Sequence, residues 1–224
     1  MANASSTGFG LRASMTLGST PATQGLSEYP MHSGHSKRFN QNDPTSKQGA
    51  NDTGYLQDAA HDTMADGLAG GKDWASNTAN VLPFAGVWNG CFFIDNTTGK
   101  PTFANTVAGS TTFGTNYNTG STDGVGFVND DPLQEYVVKA DAALAISAMV
   151  GDLTYNIEDG GTTAKQTSGQ STVKLKVSSA AATGAGQAAF IAIRSANDPE
   201  NKDLAVADAN VIVKFAPGSI GWLA

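Results

Sequence analysis

The sequence predicts a mainly β protein: an antiparallel β-barrel or sandwich with one short helix and a long extended N-terminal arm. Three observations carry that prediction. The chain has 26 glycines among 224 residues, and glycine mixed with Ser, Thr and Asn marks frequent chain reversals. From residue 81 onward, seven short apolar runs are separated by such turns, the spacing of an all-β domain. Before that point the composition changes, because residues 1–80 contain no Val and no Ile, whereas twenty follow.

The shift in β-branched aliphatic residues divides the chain into an arm, 1–80, and a β domain, 81–224. Ordering backbone costs about 1–2 kcal/mol per residue, and a segment with so few stiff apolar side chains has little burial to offset it. The arm is therefore expected to be extended and ordered by a partner. Residues 1–50 carry Arg12, Lys37, Arg38 and Lys47 against Glu28 and Asp43, while the whole chain has a formal net charge of -7. A mildly basic arm on an acidic body suits docking to an acidic surface, or equally a solvated tail.

In the β domain the expected strands are VLPFAGVWNGCFFI (81–94), GVGFV (124–128), LQEYVVKA (133–140), LTYNI (153–157), STVKLKVS (171–178), QAAFIAIR (187–194) and NVIVKF (210–215). The cleanest alternation sets Val173, Leu175 and Val177 against Lys174 and Lys176, which predicts one buried and one wet face. Val211, Val213 and Phe215 against Ile212 and Lys214 predict a strand covered more fully. DAALAISAMVG (141–151) reads as the one short helix, with Asp141 as cap and Gly151 as stop. EDGGTTAKQTSGQS (158–171) reads as a flexible connection, and no solenoid or propeller period is present.

Several function classes are disfavoured. Net negative charge opposes sequence-independent DNA binding, whose affinity comes from Lys and Arg displacing counterions. The lone Cys91, beside Phe92, Phe93 and Ile94, reads as a small buried hydrophobe and not as a catalytic thiol. MANASSTGFG has no charged start and no apolar core, so no secretory signal is expected, and no run approaches membrane-spanning length.

The candidate motifs each fail on spacing. TGKPT (98–102) evokes a phosphate loop, but Pro101 follows Lys100 where a hydroxyl is required, and no glycine stands five residues before Gly99. His32 and His35 sit three apart, yet Pro30 and Gly34 oppose a helix that would bring them together, and His61 is distant. NDPENKD (197–203) holds Asp198, Glu200 and Asp203 without calcium-loop grammar, and reads as a solvated turn, as does NDDP (129–132). No GxSxG occurs, and NTT (96–98) reads as an unmodified turn. Of the tryptophans a sugar platform would use, Trp88 lies in an apolar strand and is expected in the core. Ile220, Trp222 and Leu223 form an apolar tail that needs an oligomer contact or a fold-back. No catalytic, cofactor or metal site is expected.

Several segments taken in order carry a resemblance: GFGLRAS (8–14), GSTPATQG (18–25), GYLQDA (54–59), GVWNGCFFIDNTTGKPTF (86–103), VNDDPLQEYVVKADAAL (128–144) and AAFIAIRSANDPENKDLAVADANVIVKF (188–215). They resemble small virion structural proteins of marine tailed bacteriophages, of the capsid decoration, or cement, kind. The resemblance implies a non-enzymatic β domain on the outer surface of the capsid, assembled in the host cytoplasm, with TGKPT as a turn between core strands. It implies binding across subunits of the phage major capsid protein, and a homo-oligomer with a trimer favoured, without direct nucleic-acid or membrane contact. A tail or head-fibre component, or a module binding host glycans, is the alternative. Residues 31–51 depart from the resemblance, having almost no aliphatic side chains. Because aromatics and Arg dominate interface energetics, the expected anchors on capsid or oligomer are Phe9, Leu11, Arg12, Tyr29 and Phe39, with Ile220, Trp222 and Leu223 from the tail.

Overall fold

The computed structural model describes residues 3, 8–16, 20–21, 25–35, 38–47, 55–58, 84–149, 153–159, 169–182 and 189–216. The strands among them are β1 (Arg12–Thr16), β2 (Thr20–Pro21), β3 (Ser27–Met31), β4 (Pro44–Lys47), β5 (Leu56–Asp58), β6 (Phe84–Ile94), β7 (Pro101–Ala104), β8 (Gly124–Asn129), β9 (Gln134–Lys139), β10 (Leu153–Asp159), β11 (Val173–Ala182), β12 (Phe190–Ser195) and β13 (Asn210–Phe215). They form two antiparallel sheets. The first runs β11-β10-β12-β13-β9-β1-β2, and the second β3-β8-β6-β4-β5 with β7 also on β6. All seven expected strands are present.

The first sheet curls into a half-barrel. Just past β9, Ala140 bridges to Leu175 of β11, the Asp141 amide donates to the Leu175 carbonyl at 3.0 Å, and the Val177 amide donates to the Asp141 carboxylate at 2.7 Å. On β11 Val173 and Leu175 are buried while Lys174 and Lys176 are only partly so, as a period-two strand requires. Val211, Val213 and Phe215 of β13 fill the same core with Tyr136, Tyr155 and Phe190, and Ile212 on the opposite side is covered too.

Strand β6 is a wall shared by two cores. Phe84 and Val87 belong to the first, while Ala85, Trp88, Cys91 and Phe93 belong to a second that also holds Met31, Phe39, Leu56, Val107, Phe113 and Val128. Trp88 is fully buried, stacks on Phe39 at 4.6 Å between ring centres, and donates from its indole to the Asn105 carbonyl at 2.8 Å. Gly126 makes room for it: a Cβ there would lie 2.6 Å from Leu56 Cδ1 and 2.8 Å from Trp88 Cζ3.

Two expectations need correction. The described parts of residues 1–80 are strands of both sheets, not an arm lying apart from them: β1 pairs with β9, β3 with β8 and β4 with β6. Burial without Val or Ile is achieved by single large side chains, with Leu11, Met31, Phe39 and Leu56 each at most 2% exposed. The turn at 40–43 links the two cores, since the Asn42 carbonyl accepts from the Leu11 amide at 2.9 Å and the Asp43 carbonyl from the Trp88 amide at 2.8 Å. Residues 59–83, where the arm and domain were expected to meet, lie outside the described residues.

The helix expected over 141–151 is a single 3-10 turn, Ile146–Ala148, with no side-chain cap. Asp141 is engaged with the Val177 amide instead of capping, and the Leu144 amide is drawn across the chain to the Leu204 carbonyl at 2.9 Å. Those bonds to β11 and the 204 loop take the groups that a helix start would need. Leu144 and Met149 still reach the first core.

Candidate interaction surfaces

The TGKPT segment is the turn from β6 to β7. The Asp95 carboxylate accepts from the Thr97 and Thr98 amides at 3.0 and 2.6 Å, and Gly99 adopts a φ of 67°, which suits glycine. Cys91 is buried, and burial pushes its thiol up to about 12, the setting of an inert structural cysteine. NDPENKD is a loop tied by the Asp198 carboxylate, which accepts from the Glu200 amide at 3.0 Å. Among the described residues no three His, Cys, Asp or Glu side chains group to hold a metal ion, and no helix is long and apolar enough to cross a membrane.

The expected anchors fall into three groups. Leu11 and Phe39 are 0% and 1% exposed, so they pack the two cores and offer no surface to a partner. Phe9, Arg12 and Tyr29 retain surface. Arg12 is exposed, with its guanidinium 5.0 Å above the Phe9 ring, a cation–π pair that holds both side chains ready. Ile220, Trp222 and Leu223 lie outside the described residues.

Tyr29 lines an open cleft of ≈ 490 Å³ with Ser27, Lys47, Asp130, Asp131 and Pro132. Its hydroxyl donates to Asp130 Oδ2 at 2.7 Å, Ser27 donates to Oδ1 at 2.9 Å, and the Lys47 ammonium sits 4.9 Å from the Tyr29 ring. Burial, and then the Asp130 carboxylate, raise the phenol above its ordinary range, so Tyr29 acts here as a donor and not as a base. The Ser27 and Tyr29 hydroxyls, both from the edge strand β3, are thus taken up by the one Asp130 carboxylate.

The second sheet also carries a surface absent from the expectations. Its outer side aligns Phe103 of β7, Phe92 of β6, Val125 of β8 and Pro30 of β3 in one cross-strand row, with Phe127 next to Val125 on the same side. Phe103 is 74% exposed, and its ring lies 4.9 Å from that of Phe92. The signal was in the run CFFI: Cys91 and Phe93 point into the core, so strand alternation sends Phe92 outward.

Comparison of the chain with protein-family models, curated proteins and solved structures finds no match.

Proposed function

We propose that this protein is a structural component of a bacteriophage virion, decorating and stabilising the capsid by binding across major capsid protein subunits on its outer surface. The observation that carries the reading is the row Phe103–Phe92–Val125–Pro30, an apolar strip laid across four strands of a sheet whose other side is closed on its own core. Monomeric proteins rarely leave large contiguous apolar patches exposed, and aromatic residues are enriched where proteins meet. A stable contact buries upwards of about 1,000 Å² in total, so the strip is its centre, and Phe9 and Arg12 supply a second anchoring point. The ordered segments that resemble marine phage decoration proteins supply the identity of the partner, and self-association as a trimer through the tail residues Ile220, Trp222 and Leu223 belongs to the same reading.

Chemistry plays no part in this role. A capsid packed with DNA is under outward stress, and a protein spanning neighbouring subunits adds interface without catalysis or cofactor. A glycan-binding module is the less favoured reading, because Trp88 is taken up by the core and the Ser27 and Tyr29 hydroxyls of the cleft are taken up by Asp130. The test is co-sedimentation of the full chain with capsids that lack it. Saturable binding at a fixed ratio to the major capsid protein is expected. No binding to capsids would overturn the reading.

A further inference from the structure

A buried polar cluster lies on the outer side of the first sheet. Strands β9 and β13 pair in antiparallel register with Lys139 directly opposite Asn210. Tyr136 and Val138, like Val211 and Val213, point into the first core, so strand alternation puts Lys139 and Asn210 together on the other side. The loop 196–209 closes over them. It is held by bonds from the Ala196 amide to the Asn210 carbonyl at 2.9 Å, from the Asn210 amide to the Asn201 carbonyl at 2.8 Å, and from the Asp208 amide to the Ala140 carbonyl at 3.0 Å. Asn3 adds a strap, donating from Nδ2 to the Asp203 and Ala207 carbonyls at 2.8 and 2.9 Å. Lys139 is left 1% exposed and Asn210 3%, although lysine is almost never fully covered.

The groups around this pair are those an amide exchange needs. Asn210 Nδ2 donates to Asp198 Oδ2 at 2.7 Å, while the buried Oδ1 of the same carboxamide has no hydrogen-bond partner. Lys174 occupies the other nearby carboxylate, Asp208, at 2.8 Å, which leaves Asp198 aligned with the amide. Burial lowers the Lys139 ammonium pKa, against the opposing charges of Asp208 and Asp198, and so favours the nucleophilic amine.

We infer that Lys139 and Asn210 join in an intramolecular isopeptide bond that cross-links β9 to β13, with Asp198 carrying the proton. The neutral Nζ attacks Cγ of Asn210, the new C–N bond forms, and the carbonyl π pair moves onto Oδ1. Asp198 takes the proton lost by Nζ and delivers it to Nδ2, the atom it already faces. The electron pair on Oδ1 then restores the carbonyl, the Cγ–Nδ2 bond breaks and ammonia leaves. One amide replaces another, with no oxidant, cofactor or external donor. Holding amine and carboxamide on paired strands supplies the proximity that makes such a reaction effectively unimolecular. The bond would tie two strands at the centre of the half-barrel, whether or not the protein docks on a capsid.

The experiment is peptide mass spectrometry of the purified full-length protein after trypsin digestion. The expected result is a branched peptide in which the segment containing Lys139 is joined to the segment containing Asn210, lighter than their sum by one ammonia, with cleavage lost after Lys139. Lys139→Arg should restore the full mass and the separate Asn210 peptide, and Asp198→Ala should leave the two segments unlinked. Recovery from the wild-type protein of separate peptides with an intact Asn210 carboxamide would overturn the proposal. So would an ammonia loss that persists in Lys139→Arg, because it would then arise from Asn210 closing on its own backbone. Full linkage in Asp198→Ala would overturn the role given to that carboxylate.

Discussion

Replacing Leu11 by Ala separates an arm from an integral strand. Leu11 is 0% exposed and belongs to the first core, with its amide bonded to the Asn42 carbonyl at 2.9 Å. The substitution removes three carbon atoms from that core. At about 0.8 kcal/mol per buried methylene-sized group, the transfer loss is about 2.4 kcal/mol, and the unfilled space raises the cost to about 3 kcal/mol, within the range seen for buried leucines. That corresponds to a roughly 150-fold shift of the folding equilibrium. With a urea slope of about 2–3 kcal/mol/M for a chain of this size, the midpoint should fall by about 1–1.5 M. The assay is equilibrium urea unfolding, followed by far-ultraviolet circular dichroism. A change within about 0.5 kcal/mol, typical of a surface position, would refute the placement of residues 8–16 in the first sheet.

Two further outcomes follow from the second core. Gly126→Ala should cost about 1–3 kcal/mol by overpacking, because the added Cβ would press on Leu56 and on Trp88, which its indole bond to Asn105 holds in place; a urea midpoint equal to wild type would contradict that packing. His35 should make stability depend on pH. Its ring lies between Phe39 and Phe113, Nδ1 faces the His32 carbonyl at 3.2 Å and Nε2 has no partner. Burial, helped by the neighbouring His32, lowers its pKa against the weaker pull of the His32 and Ala108 carbonyls. Its contribution is therefore complete above the unfolded value of about 6.5 and is lost as pH falls below that toward the lowered folded value. Unfolding measured between pH 7.5 and 5, in steps of about half a unit, should show a slope that His35→Phe flattens; equal slopes would contradict it.

The β domain was legible because its strands carry strong period-two signals. Val173, Leu175 and Val177 against Lys174 and Lys176 state by their alternation alone which side is inward. The N-terminal strands were not legible, for a physical reason: they are short, hold no Val or Ile, and contain Pro21, Pro30 and Pro44, residues that argue against a strand. Pro30 is tolerated because β3 ends its sheet's strand order, and Pro44 because it begins β4. Charge and composition describe a chain's average, whereas Leu11 and Phe39 reach the core through one favourable register each. Register also hid the pairing of Lys139 with Asn210, which stand far apart in sequence. The Phe92–Phe103 strip was half visible, since alternation through CFFI sends Phe92 out, but only the turn after Ile94 places Phe103 beside it.

A chain starting at Asn80 would lack β1–β5 and so would not isolate the docking surface. The direct measurement is co-sedimentation with capsids lacking this protein, comparing the wild-type chain with Phe103→Asp, a substitution at a side chain 74% exposed. The account predicts saturable binding by wild type and binding weakened roughly 30-fold or more in the variant, the loss typical of a central aromatic contact. Absence of wild-type binding would contradict the capsid role, and equal binding by the two chains would contradict the surface assigned to it.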